Sequence, residues 1–85
     1  MVKVEERNNM GARRDIQMAI EEIGLSGVIN IGKCCRQTMK NWVKDINDSL
    51  VHNHYEWRVV GRMEDGVGVI SCIAKERYDA IENLL

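Results

Sequence analysis

Residues 24–44 read GLSGVINIGKCCRQTMKNWVK, and the fold turns on how this stretch is divided. Gly24, Leu25, Ser26 and Gly27 form a breaker cluster, because glycine tolerates backbone conformations that end regular structure. Val28, Ile29, Asn30 and Ile31 follow as a short run rich in β-branched residues, which predicts a buried strand over residues 28–31 ended by Gly32. A helical period then begins. Cys35, Met39, Trp42, Val43, Ile46 and Leu50 recur at spacings that place them on one face, which predicts a helix over residues 33–50 with Cys35 on its core side.

Toward the N-terminus, Val2 and Val4 alternate with Lys3 and Glu5, the period-2 pattern of a strand over residues 2–7. Asn8 and Asn9 supply a turn or N-cap. Ala12, Ile16, Ala19, Ile20 and Ile23 recur at intervals of three and four and predict an amphipathic helix that ends at Gly24. Toward the C-terminus, Asn47, Asp48, Asn53, His52 and His54 mark a loop. Residues 55–63 and 67–74 are rich in Val, Ile, Trp and Tyr and are joined by Glu64-Asp65-Gly66, so they read as a β-hairpin. Residues 75–85 close the chain as a helix, with Tyr78, Ile81, Leu84 and Leu85 at helical spacing. The order is β-α-β-α-β-β-α, an α+β two-layer domain.

Eighty-five residues support one core and not two, so residues 1–85 form a single domain. Hydrophobic residues at 45% and charged residues at 29% exclude both a disordered chain and a membrane-embedded one. No apolar run spans a bilayer and no leader pattern opens the chain, which suggests an intracellular, cytoplasmic setting. Cys34, Cys35 and Cys72 are an odd set with two adjacent members, as expected of free thiols in a reducing compartment. With no Phe or Pro available, the core is expected to gather Ile, Val, Leu, Met and Ala around Trp42 and Trp57. Pairing as a homodimer is expected from the small core and from Tyr78, Ile81 and Leu85 along one face of the last helix.

Net charge is −1, yet its distribution is uneven. Acidic residues gather after Arg62, whereas residues 24–44 hold Lys33, Arg36, Lys40 and Lys44 and no carboxylate. At 100° per residue these four fall within about 80° of arc on the predicted second helix, a cationic stripe about 16 Å long. Solvated helix faces normally mix signs, because like charges one turn apart repel. An unmixed stripe therefore points to an anionic partner such as DNA or RNA, whose phosphates repeat about every 3.4 Å along one strand. Arg58 and Arg62, two apart in the alternation of one strand, and Arg7 at the first strand–helix junction are candidates to extend it.

Other chemistry finds less support. Cys34, Cys35, His52, His54 and Cys72 lack the C-x2-4-C and H-x3-5-H spacings of structural zinc, and Cys35 and Cys72 read as buried small hydrophobes, so no metal or cofactor is expected. No nucleophile elbow, P-loop, zincin or dinucleotide motif occurs, and the chain reads as a non-enzyme. Gly24-Leu25-Ser26-Gly27 matches the GXXG of KH domains, but the strand predicted after it makes it a turn. A winged helix-turn-helix is the alternative fold, with residues 63–67 as the wing; it requires a helix over residues 28–31. The alternative function is a regulatory adaptor that docks on a protein partner through the C-terminal helix and hairpin.

Taken over residues 2–75, the element order and the run Ile29-Asn30-Ile31-Gly32-Lys33-Cys34-Cys35-Arg36-Gln37-Thr38-Met39-Lys40 resemble the Alba family of archaeal chromatin and RNA-binding proteins. That family carries a basic turn into its second helix, with an Arg followed four residues later by a Lys, matched by Arg36 and Lys40. The resemblance implies sequence-tolerant nucleic-acid binding through Arg36, Lys40 and their neighbours, with Arg7 in the loop after the first strand. The same topology recurs in the C-terminal domain of bacterial translation initiation factor three. In Alba proteins the last hairpin is a long basic arm, whereas Met63-Glu64-Asp65-Gly66 is short and acidic. The terminal helix, residues 75–85, lies beyond the family core.

Overall fold

The computed structural model describes residues 12–84, and the strand expected over residues 2–7, with Arg7, lies outside that range. Six elements follow: α1 (Ala12–Ser26), β1 (Val28–Lys33), α2 (Arg36–His52), β2 (Trp57–Glu64), β3 (Val67–Ala74) and α3 (Lys75–Leu84). The strands form an antiparallel sheet in the order β1-β3-β2. The β1-α2-β2 crossover therefore leaves a gap of one strand, and β3 returns through the hairpin to fill it.

Several boundaries differ from the sequence reading. Helix α1 continues through Gly24 to Ser26, and Gly27 takes the left-handed position at φ 86°, its N–H bonded to the Ile23 carbonyl at 2.7 Å. Gly24 stays helical, one residue after Ile23, which is fully buried in the core. Strand β1 runs two residues past Ile31: Gly32, at φ 86°, forms a bulge where the register with β3 slips, and its N–H bonds Asn30 Oδ1 at 2.7 Å. Gly32 bends the strand instead of ending it. Helix α2 begins at Arg36 and not Lys33, and it runs through Asn47 and Asp48 to His52.

With a strand from Val28 to Lys33, the helix required by a winged helix-turn-helix is absent. The hairpin forms as expected, except that its first strand runs over Trp57–Glu64 and not residues 55–63; its turn is made by Asp65 at φ 52° and Gly66 at φ 80°.

Both α1 and α2 pack on one face of the sheet. Ala19, Ile20 and Ile23 from α1, Ile46 and Leu50 from α2, and Val59 and Ile70 from the sheet form the buried cluster. Trp42 and Trp57 rim it, half-buried, so the aromatic centre expected from composition is a border. At about 25 cal/mol per Å² of apolar surface removed from water, each fully buried Ile or Leu contributes roughly 1.5–3 kcal/mol.

Two glycines set how closely layers approach. A Cβ on Gly61 would lie 2.3 Å from Met39 Sδ and 2.7 Å from Val43 Cγ2, so any side chain at this point of β2 would have to displace those of α2. On Gly68 a Cβ would meet Ile31 Cγ1 at 2.8 Å and Cys34 Sγ at 2.9 Å.

Strand β2 lies at a sheet edge, and α2 closes it with one side chain. Asn47 is buried; its amide donates to the Val59 carbonyl at 3.0 Å, and its Oδ1 accepts the Val59 N–H at 2.8 Å. It thus pairs with an edge residue as a neighbouring strand would, and both polar groups are satisfied out of water.

Candidate nucleic-acid interface

Arg36, Lys40 and Lys44 lie on the exposed side of α2, within about 80° of arc and spanning about 12 Å along its axis. Lys33 is not among them on the helix. It is the last residue of β1, opposite Val67, because Cys34 and Cys35 are needed to turn the chain from strand to helix. Cys34 N–H bonds the Gly66 carbonyl at 3.0 Å and ties that turn to the hairpin. Lys44 is neutralised locally: its ammonium lies 2.8 Å from Asp48 Oδ2 one helical turn on, and that hydrogen bond and charge raise its pKa. Arg36 and Lys40 form no ion pair among the described residues.

Neither hairpin arginine joins the stripe. Arg58 is buried, its Nη1 donating to the carbonyls of Tyr55 and Trp57, both at 2.8 Å. A guanidinium spent on two carbonyls holds the approach to β2 and offers little to a phosphate. Arg62 pairs with Glu64. Since Gly61 faces α2, strand alternation sends Arg62 to the opposite face of the sheet.

Between the stripe and α3 runs a groove of about 330 Å³. Met39, Val43 and Gly61 give it an apolar floor, Arg36, Lys40 and Lys44 stand along α2, and Asn47, Asp48 and Tyr78 complete the lining. Tyr78 is half-buried, and its pKa is raised by that burial first, then by the charge and hydrogen bond of Glu82. The sequence reading missed this juxtaposition, having set Tyr78 aside for a dimer surface. The available signal was Gly61: a glycine inside a strand pattern marks a close approach of another element.

A second groove, of about 460 Å³ between α1 and β1, carries Asp15 and Glu22 and no cation, so it does not suit a polyanion. A third, of about 440 Å³, is apolar, with Tyr55 and Trp57 edge to face at 5.7 Å beside Ile20, Gly24 and Leu25.

The cysteines differ from their expected burial. Cys35 is exposed, because the helix starts one residue later and leaves it at the N-cap with extended backbone. Its Sγ lies 3.3 Å from Thr38 Oγ1. The thiol pKa is lowered, first by that hydroxyl and then by backbone N–H groups of the first turn. Cys72 is exposed too: it pairs with Val59 of β2 on one side, but β1 begins at Val28, opposite Ser71, so on the other side it meets only the Gly27 corner, whose carbonyl accepts its N–H at 2.9 Å. Cys34 is half-buried. Among the described residues, no three His, Cys, Asp or Glu side chains are grouped as metal ligands. No described helix is long and apolar enough to cross a membrane.

No protein-family model, curated protein or solved structure matches the chain.

Proposed function

We propose that this α+β domain binds nucleic acid without catalysis, through the α2 stripe, as an Alba-like protein. The observation that carries the reading is the pair Arg36 and Lys40: two exposed cations one turn apart on a rigid helix, with no ion pair among the described residues, beside a groove. Such contacts position a phosphate backbone and leave base identity largely unread.

Fewer phosphate contacts are expected than the stripe has cations. Lys44 has its own carboxylate and Lys33 stands off the helix, so two contacts are expected per protomer. A log–log salt slope of about −1.8 on duplex DNA, or about −1.4 on a single strand, follows from two released counterions. Arg36→Ala with Lys40→Ala should remove nearly all of it while the circular dichroism spectrum is unchanged, since both side chains are exposed. Binding that is unaffected by the double substitution at every salt concentration would reduce the stripe to a solvated face.

A second reading rests on α3, where Leu84 is 85% and Ile81 42% exposed. Apolar residues left in water at the end of a helix suit a protein partner or a second copy of the chain. Sedimentation at tens of micromolar, with and without Ile81→Ser, separates a homodimer from a monomer.

A further inference from the structure

We infer that the groove between α2 and α3 receives an unpaired base of a single-stranded nucleic acid, stacked on Tyr78, while the adjoining phosphates lie on Arg36 and Lys40. The inference rests on the nucleic-acid reading above and names the form of the ligand. Single-strand sites combine a cationic track for the backbone with aromatic rings on which bases stack, and this groove holds both. Its floor of Met39, Val43 and Gly61 is apolar, so a base face would be desolvated against it. At about 330 Å³ it stands at the small end of ligand sites, suited to one base and not to a longer stack.

Charge placement argues for one strand over two. Arg36 and Lys40 are separated by about 6 Å along the helix axis, which spans about two successive phosphates. Across the groove the balance reverses: α3 carries Glu76, Asp79 and Glu82 against Lys75 and Arg77, with Lys75 paired to Asp79, and the Glu82 charge acts on Tyr78. A duplex laid on α2 would bring its second row of phosphates toward these carboxylates. A single strand turns its bases toward α3 and keeps its phosphates on α2.

The test is a fluorescence anisotropy titration of the full chain with a labelled oligothymidylate, an abasic strand of the same length and a duplex, at one low salt concentration. The oligothymidylate should bind more tightly than either other probe. Tyr78→Ala should weaken it about 5- to 150-fold and leave the abasic strand unaffected, whereas Tyr78→Phe should bind like the parent. Equal affinity of the parent for oligothymidylate and abasic strand would overturn the inference without any variant, and so would duplex binding tighter than both. In those cases a salt slope that still depends on Arg36 and Lys40 leaves the nucleic-acid reading standing. Failure of all three probes to bind removes that reading and the base site together.

Discussion

Replacing Asn47 by Ala removes two hydrogen bonds at once and leaves the Val59 N–H and C=O without their partner in a place where Val59 is fully buried. Each buried backbone group left unpaired costs about 1–3 kcal/mol. Because β2 is an edge strand, water entering the vacated space recovers part of that cost, and a net loss of about 2–4 kcal/mol is expected. A chain of this length is stable by about 4–13 kcal/mol in all, and each kcal/mol moves the midpoint of a domain this small by about 4–8 °C. Thermal unfolding followed by far-ultraviolet circular dichroism should therefore show a midpoint lower by roughly 10–30 °C. Asn41→Ala is the matched control, since the exposed Asn41 side chain bonds only the Gln37 side chain among the described residues, and it should stay within about 0.5 kcal/mol of the parent. Asn47→Asp adds a pH dependence. Its carboxylate still accepts the Val59 N–H but opposes the Val59 carbonyl, which raises its folded-state pKa above the unfolded value. The variant should be relatively stable when the carboxyl is protonated in acid and lose that stability as pH rises through the folded-state pKa. An Asn47→Ala midpoint within the control's range would refute the idea that this side chain closes the sheet edge.

Further outcomes follow from other contacts. Gly61→Ala must push aside Met39 and Val43 and should destabilise by about 1–3 kcal/mol in urea unfolding; an unchanged midpoint would mean that α2 can lift from β2 freely. Arg58→Ala should lower stability, by about 1–3 kcal/mol, through the carbonyls of Tyr55 and Trp57 that it abandons, while nucleic-acid affinity per folded molecule stays the same; weaker binding with intact stability would return Arg58 to the interface. Cys35 should react with iodoacetamide faster than Cys72 at pH 7, because its lowered pKa leaves more thiolate. Thr38→Val should shrink that advantage, and peptide mapping that finds Cys72 labelled first in the parent would contradict the assignment.

The sequence by itself determined the elements from α1 onward, because their signals are local. The i, i+3, i+4 recurrence of Ile16, Ala19, Ile20 and Ile23, the β-branched run at Val28, and Asp65-Gly66 between two strand-like segments each reflect backbone geometry within a few residues. It also determined that Arg36 and Lys40 share an exposed helix face, which needs only the 3.6-residue period. What only the tertiary structure decided involves residues distant in the chain. Asn47 looks like a loop residue until β2 lies beside it, and Gly32 looks like a terminator until β3 offers a bulged register. Arg58 and Arg62 share a face by alternation, but only packing buries the first and turns the second away from α2. Lys44 loses its freedom to Asp48, a partner one turn away that the reading of residues 24–44 stopped short of. Tyr78 reaches the basic helix because α3 folds back onto β2 and β3, so the groove is assembled from residues more than thirty positions apart, a relation that no local pattern encodes.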